Sequence, residues 1–145
     1  MFTARSLLAL ISTGALFLAG CGKDSTSTTT SPTPTPAAAT ITESFTAPIG
    51  IGGAIFYSFN FVAYGNTNIT LTGVAGDGLP DGQTLGLGVG RPGATGCTAI
   101  STVAATPSDT AQLTGTYGPG IYCVRVYDTG SLTGPITVAV TVAHS

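Results

Sequence analysis

The sequence from residue 41 onward predicts an all-β domain, an antiparallel β-sandwich of about eight strands with a jelly-roll or immunoglobulin-like arrangement. Three observations support this prediction. Short segments of alternating apolar and polar residues recur between turn signals rich in glycine, proline and asparagine. The chain contains 21 glycines and no tryptophan, a composition that favours many turns over long helices. Segment 41–145 has about one hundred residues, the usual size of such a sandwich.

Each predicted strand is a segment in which apolar residues alternate with polar or small ones, or in which β-branched and aromatic residues are concentrated. These segments are 41–47, 54–64, 68–74, 84–91, 97–104, 109–115, 120–128 and 136–142. In segment 54–64 the alternation places Phe59 and Phe61 on the inward face and Phe56 on the outward face. The dipeptide Gly65-Asn66, which follows this segment, predicts a hairpin-type turn.

One predicted strand has a bare face. In segment 84–91, leucine and valine alternate with Gly86, Gly88 and Gly90. A strand face without side chains lets another group approach the backbone closely. We expect that group to be an aromatic side chain from a neighbouring strand, and a ligand groove along the strip is the alternative.

Charged residues are scarce, and their balance argues against a nucleic-acid partner. They make up 7% of the chain, against about 25% in an average domain. Beyond residue 20, three basic residues stand against six acidic ones, a net charge of −3. Such a surface does not attract a phosphate backbone, so we expect no nucleic-acid partner.

The first twenty residues have the features of an export signal. Arg5 gives a positive start, and segment 6–18 is apolar but too short to span a bilayer comfortably. It ends in Leu18-Ala19-Gly20-Cys21, which resembles the bacterial lipobox. That resemblance implies cleavage before Cys21 and lipid on its thiol, and more than one acyl chain gives stable membrane attachment. The alternative is a plain signal peptide with an unmodified cysteine. The lipobox resemblance also implies that Gly22, at a position where Asp often retains a lipoprotein at the inner membrane, favours the outer membrane in a cell envelope with two membranes.

Residues 21–40 are predicted to form a disordered stalk. Segment 25–40 reads STSTTTSPTPTPAAAT, which has almost no apolar side chain to bury and favours polyproline II. The stalk would span roughly 60 Å as polyproline and roughly 25 Å as a flexible coil. The predicted organisation is a cleaved signal peptide at 1–20, a lipidated linker at 21–40 and a sandwich domain at 41–145.

Two cysteines remain beyond Cys21. An exported protein matures in an oxidising compartment, so we expect a disulfide between Cys97 and Cys123, with two separate buried thiols as the alternative. No cofactor is expected. Asp77 and Asp81 are weak candidates for a cation site, because their glycine-rich loop is first of all a turn.

No catalytic set can be assembled from the sequence, so we expect a binding protein and not an enzyme. The single histidine, His144, is one residue from the end of the chain and is expected to be a solvated tail residue. One hypothesis is a surface module that contacts a protein partner. The other is a carbohydrate-binding module that stacks sugars on exposed tyrosines. The candidate tyrosines are Tyr57, Tyr64, Tyr117 and Tyr127.

The closing strands resemble those of a known family. The segments Gly118-Pro-Gly-Ile-Tyr-Cys-Val-Arg-Val-Tyr127 and Gly134-Pro-Ile-Thr-Val138 are similar to the end of bacterial pre-peptidase C-terminal domains. Segment 45–59 is similar to the family's opening strands. The motif TLGLGVG stands where the family usually has an Asp-Leu-Asp-Leu strand. The resemblance implies a β-sandwich accessory domain of a kind often found beside secreted enzymes and sometimes binding polymers or sugars.

Overall fold

The computed structural model describes residues 38–77, 79 and 82–145, and within them the chain forms eight β-strands. The strands are β1 (Ile41–Ile49), β2 (Ala54–Phe61), β3 (Gly65–Ala75), β4 (Leu85–Gly93), β5 (Gly96–Ala105), β6 (Leu113–Tyr117), β7 (Gly120–Tyr127) and β8 (Ile136–His144). The predicted lipobox and signal peptide, and the linker up to residue 37, lie outside the described residues. Within these described ranges, no helix is long and apolar enough to cross a membrane.

The strands form two four-stranded antiparallel sheets. The first sheet has the order β1-β8-β3-β6 and the second has the order β2-β7-β4-β5. Among these eight strands, β4 and β5 are the one consecutive pair that shares a sheet. Every other connection crosses from one sheet to the other, which is the arrangement of a jelly roll. The predicted all-β sandwich is confirmed.

Two local predictions were wrong, one on a turn and one on the bounds of a strand. Gly65-Asn66 is not a hairpin turn, since β2 and β3 lie in opposite sheets and residues 62–64 make the crossing. The sixth strand was expected at 109–115, but β6 is short and begins at Leu113. The segment before it runs along β3, where the amide of Ser108 donates to the carbonyl oxygen of Leu71 at 3.0 Å.

The core lies between the two sheets and is built from the inward residues of every strand. Phe59 and Phe61 are buried there, as the alternation predicts, while Phe56 on the opposite face of β2 is 54% exposed. Fully buried aliphatic side chains come from both sheets, and each contributes about 1.5–3 kcal/mol when removed from water. They include Ile69, Leu71, Leu87, Val89, Val124, Val126, Val138 and Val142.

The bare face of β4 is covered from within the second sheet. The ring of Tyr127 on β7 lies over Gly86, where an added Cβ atom would come within 2.1 Å of it. The predicted aromatic cover is therefore confirmed at this position. At Gly90 the cover is backbone, since a Cβ atom there would lie 1.9 Å from the carbonyl oxygen of Thr98 on β5.

The β4–β5 hairpin folds over the outer face of the second sheet. β4 lies between β5 and β7 in this sheet, yet Cys97 of β5 is bonded to Cys123 of β7, with Cα atoms 5.8 Å apart. The start of β5 therefore passes above β4, and it does so at Gly90, which pairs with Cys123. The register of β5 shifts at this crossing. The predicted disulfide is present, on the outer side of the sheet and buried under the hairpin.

Gly90→Ala should destabilise the domain because the new methyl group would overlap the backbone of Thr98. We expect the free energy of unfolding, measured by urea denaturation, to fall by about 1–3 kcal/mol. Gly73→Ala is the matched control, since its Cβ atom would meet Ala139 at an ordinary 3.6 Å, and it should change stability by less than about 0.5 kcal/mol. Equal effects of the two substitutions would contradict the crossing at Gly90.

Candidate functional site

A cleft lies between the folded-over hairpin and the far edge of the second sheet. Its walls are residues 54–56 of the edge strand β2 and residues 95–98 of the hairpin, and Arg125 of β7 forms part of its floor. Its volume is about 340 Å³, near the lower end of the roughly 300–1,000 Å³ usual for ligand pockets. The cleft has room for one or two side chains or a single small ring.

Phe56 is the aromatic wall of the cleft. It occupies an outward position of β2 and keeps 54% of its surface exposed. The tip of the hairpin comes against its edge, since a Cβ atom on Gly96 would lie 3.6 Å from the ring. Gly96 has a φ of 126°, which L side chains rarely adopt. Glycine at position 96 thus permits both the turn of the hairpin and its approach to Phe56.

Arg125 is the cationic group of the cleft. It pairs with Phe56 on one side and with Gly88 on the other, so no side chain of β4 covers it from that direction. Its guanidinium lies 4.8 Å from the ring centroid of Tyr127. In the described part of the chain, no carboxylate lies within ion-pair distance of the guanidinium, and the guanidinium donates no hydrogen bond to a protein atom. The guanidinium's five donors therefore face water or a ligand.

The four candidate tyrosines do not form one surface. Tyr127 is half-buried between Gly86 and Arg125, so its ring is engaged within the sheet. Tyr57 points between the sheets and stacks on Phe45. The remaining two lie near the opposite end of the domain, Tyr64 exposed on the β2–β3 connection and Tyr117 half-buried at the end of β6 in the first sheet. The coplanar strip that sugar stacking would need is absent among these tyrosines.

A polar network closes one side of the sandwich. The hydroxyl of Tyr57 donates to Oε2 of Glu43, and Nε2 of His144 lies 2.9 Å from Oε1 of the same carboxylate. Glu43 is on β1 and Tyr57 is on β2, which are the edge strands of the two sheets on this side. An inward-pointing charge on an edge strand discourages pairing with a further strand. The network therefore serves the closure of the fold.

His144 is not the solvated tail residue that we expected. It is 3% exposed and packs against the rings of both Phe59 and Phe61, with centroids 5.2 and 5.3 Å away. The reason is that β8 continues to this residue and pairs it with β1 and β3. The inward positions of β8 are Val138, Val140 and Val142, so extending their alternation by one step would have placed the histidine in the core.

Hydrogen bonds within the network shift the pKa values of Glu43 and Tyr57. The bond from Tyr57, followed by the bond from His144, holds the pKa of the Glu43 carboxyl below its ordinary 4.5. The same carboxylate raises the pKa of the Tyr57 hydroxyl. Each polar group satisfies another and the histidine ring is enclosed, so none of these three side chains is placed as an activated nucleophile facing a substrate.

Among the acidic residues in loops, Asp77 is exposed to solvent and Asp128 is hydrogen-bonded to the backbone. Asp81 lies outside the described residues. Across residues 38–77, 79 and 82–145, no three His, Cys, Asp or Glu side chains are grouped as a metal site requires. The carboxylate of Asp128 accepts hydrogen bonds from backbone amides. These bonds lower the pKa of its carboxyl group, and the bond from the Gly52 N–H contributes most. The donors are the N–H groups of Gly52, Gly130, Ser131 and Leu132.

Comparisons with known proteins give matches among solved structures. No family model matches the chain, and no curated protein matches it significantly. Seven chains of solved structures match it. One is PliG of Aeromonas hydrophila, a periplasmic inhibitor of g-type lysozyme, with 16% identity over 72% of this chain and 86% of that chain and a TM-score of 0.49.

A second match is a Bacillus endospore appendage protein, from a family of disulfide-linked pili. It has 10% identity over 78% of this chain and 98% of that chain, with a TM-score of 0.35. At TM-scores below 0.5, neither likeness informs on the ligand of this chain. The resemblance to pre-peptidase C-terminal domains stays a prediction.

Tyr57→Phe should raise the pKa of the Glu43 carboxyl toward 4.5, because it removes the hydroxyl that lowers this pKa most while keeping the stacked ring. A carboxyl whose pKa is lowered by folding stabilises the fold above its ordinary pKa, and that stabilisation is lost as the pH falls through the folded-state value. The wild type should therefore be more stable than Tyr57→Phe at neutral pH and lose this advantage below pH 4.5. NMR titration of the Glu43 carboxyl carbon and urea unfolding measure both effects. An unchanged Glu43 titration would show that the hydroxyl does not bind the carboxylate.

Proposed function

We propose that this chain is an exported, membrane-anchored binding protein without catalytic activity, and that its partner docks in the cleft between Phe56 and Arg125. The observation behind the docking site is the guanidinium of Arg125, which has no protein hydrogen-bond partner in the described residues and lies beside an exposed aromatic ring. The anchor rests on the sequence Leu18-Ala19-Gly20-Cys21. In a cell with two membranes, Gly22 favours the outer one.

The cleft suits an acidic segment of a protein partner. A guanidinium binds a carboxylate with two parallel hydrogen bonds, a geometry that lysine does not offer. Exposed aromatic rings and arginines are also the residues most enriched among those that dominate protein interfaces. An Asp or Glu side chain on Arg125, with an apolar neighbour on Phe56, would use both features at once.

An acidic sugar is the second candidate ligand. Phe56 offers one exposed ring face to a pyranose, and Arg125 could bind a uronate carboxylate. A second stacking platform is missing next to it, because the ring of Tyr127 is already packed against Gly86 and Arg125. A protein ligand is therefore favoured over a glycan.

A non-catalytic role agrees with the disposition of the reactive side chains. The histidine is buried against Glu43, Asp128 is held by four backbone amides, and the two domain cysteines are joined to each other. The cleft itself has Arg125 as its charged group and contains no described acid or base suited to proton transfer.

The cleft can be probed with a phage-displayed library of random peptides. Selected peptides should be enriched in an acidic residue next to an apolar one, and their affinity should fall about tenfold or more for Arg125→Gln and for Phe56→Ser. Tyr64→Ser, which removes another exposed ring away from the cleft, should bind like the wild type. Peptides that bind Arg125→Gln as tightly as the wild type would contradict the site. Binding on a glycan array, with no peptide selected, would favour the sugar.

The membrane anchor has a separate test. Intact mass spectrometry of protein extracted from membranes should give a chain that begins at Cys21 and carries the additional mass of acyl groups. The variant Cys21→Ser should lose the acyl mass and leave the membrane fraction. A soluble wild-type protein that begins at another residue would overturn the lipid anchor.

A further inference from the structure

The β2–β3 connection forms an exposed apolar tip. Val62 is 87% exposed and Tyr64 is 80% exposed, with Ala63 between them also exposed. Ile121, another exposed apolar residue, follows the neighbouring β6–β7 turn. The ring of Tyr64 lies close to Gly118 of that turn, where an added Cβ atom would be 3.2 Å from the ring. The tip is therefore a supported surface and not a single isolated side chain.

The tip lies at the end of the domain where the chain arrives from the predicted lipid. Ile41, the first residue of β1, pairs with His144, and His144 pairs with Thr67 of β3. Thr67 is two residues beyond Gly65, where β3 leaves the tip. Twenty positions separate Cys21 from Ile41. An anchored membrane is thus connected to this end of the sandwich and not to the end where β1 terminates.

The charged side chains differ between the two ends of the domain. Asp77 follows β3 and Asp128 follows β7, so both carboxylates lie at the end away from Ile41. Glu43 lies two residues from Ile41, but its carboxylate is hydrogen-bonded to Tyr57 and His144. Arg91 is exposed near the tip, where its guanidinium lies over the ring of Tyr122 and donates to the Tyr122 hydroxyl at 2.7 Å and to the carbonyl oxygen of Ile121 at 3.4 Å. An arginine faces an anionic bilayer favourably, whereas carboxylates do not.

We propose that the Val62-Ala63-Tyr64 tip inserts into the interface of the membrane that holds the anchor. This inference rests on the lipid anchor of the proposed function. Tyrosine is enriched at the headgroup level of membranes because its ring is apolar and its hydroxyl is polar, and the valine side chain enters the acyl boundary. The strands then rise away from the bilayer, and the cleft beside Phe56 opens sideways into solvent.

A tryptophan reporter tests the insertion, since the chain has no tryptophan of its own. The full lipidated chain carrying Tyr64→Trp is reconstituted in vesicles of phosphatidylcholine and phosphatidylglycerol with brominated acyl chains. We expect its emission to be quenched about twofold or more and shifted to the blue. The matched control is Ile51→Trp, which replaces a 65% exposed residue in the β1–β2 turn at the opposite end and should not be quenched. Adding Val62→Ser to Tyr64→Trp should reduce the quenching.

Vesicle flotation of the same samples separates the two proposals. Flotation without quenching of the Tyr64→Trp reporter overturns insertion and leaves the anchor in place. Equal quenching of both reporters also overturns it, because the domain would then lie along the membrane. Protein that does not float overturns the anchor and the insertion together.

Discussion

The passage of β5 over Gly90 is the contact on which the outer surface of the second sheet depends. Because position 90 has no side chain, the carbonyl of Thr98 can lie directly on β4, and Cys97 can reach Cys123 two strands away. The disulfide then fixes the hairpin tip against Phe56. Without this crossing the second sheet would present an open face, and Phe56 and Arg125 would be ordinary surface residues with no wall opposite them.

The jelly-roll topology explains why this hairpin is free to fold over. Strands that cross between sheets are held at both ends by the core, whereas β4 and β5 are consecutive in one sheet, and β5 is its edge. The hairpin's closed end therefore has one side without a neighbouring strand. The opposite edge of the sandwich is closed differently, by the partly buried hydrogen bonds among Tyr57, Glu43 and His144. The edge formed by β1 and β2 is thus closed by polar side chains, and the edge strand β5 belongs to the hairpin that forms one wall of the cleft.

Much of the fold could be predicted from the sequence because alternation is a local property. It located most strands and placed Phe59, Phe61 and Phe56 on the correct faces. It could not assign strands to sheets, which depends on contacts distant in sequence, and so it misread Gly65-Asn66 as a hairpin. The cleft was missed for the same reason: Phe56, Gly96 and Arg125 meet through strand register and the hairpin crossing. The glycines of β4 were the one local sign of that crossing.

We infer that the disulfide and the crossing at Gly90 build the cleft, while the core alone maintains the jelly roll. Nuclear Overhauser contacts between Gly96 and the ring of Phe56 can be measured in the wild type and in Cys97→Ala/Cys123→Ala to test this inference. We expect the Gly96–Phe56 contact to be present in the wild type and lost in the variant, while core contacts such as Leu71 with Val140 remain. A variant that keeps the Gly96–Phe56 contact, or that loses the core contacts at the same time, would contradict it.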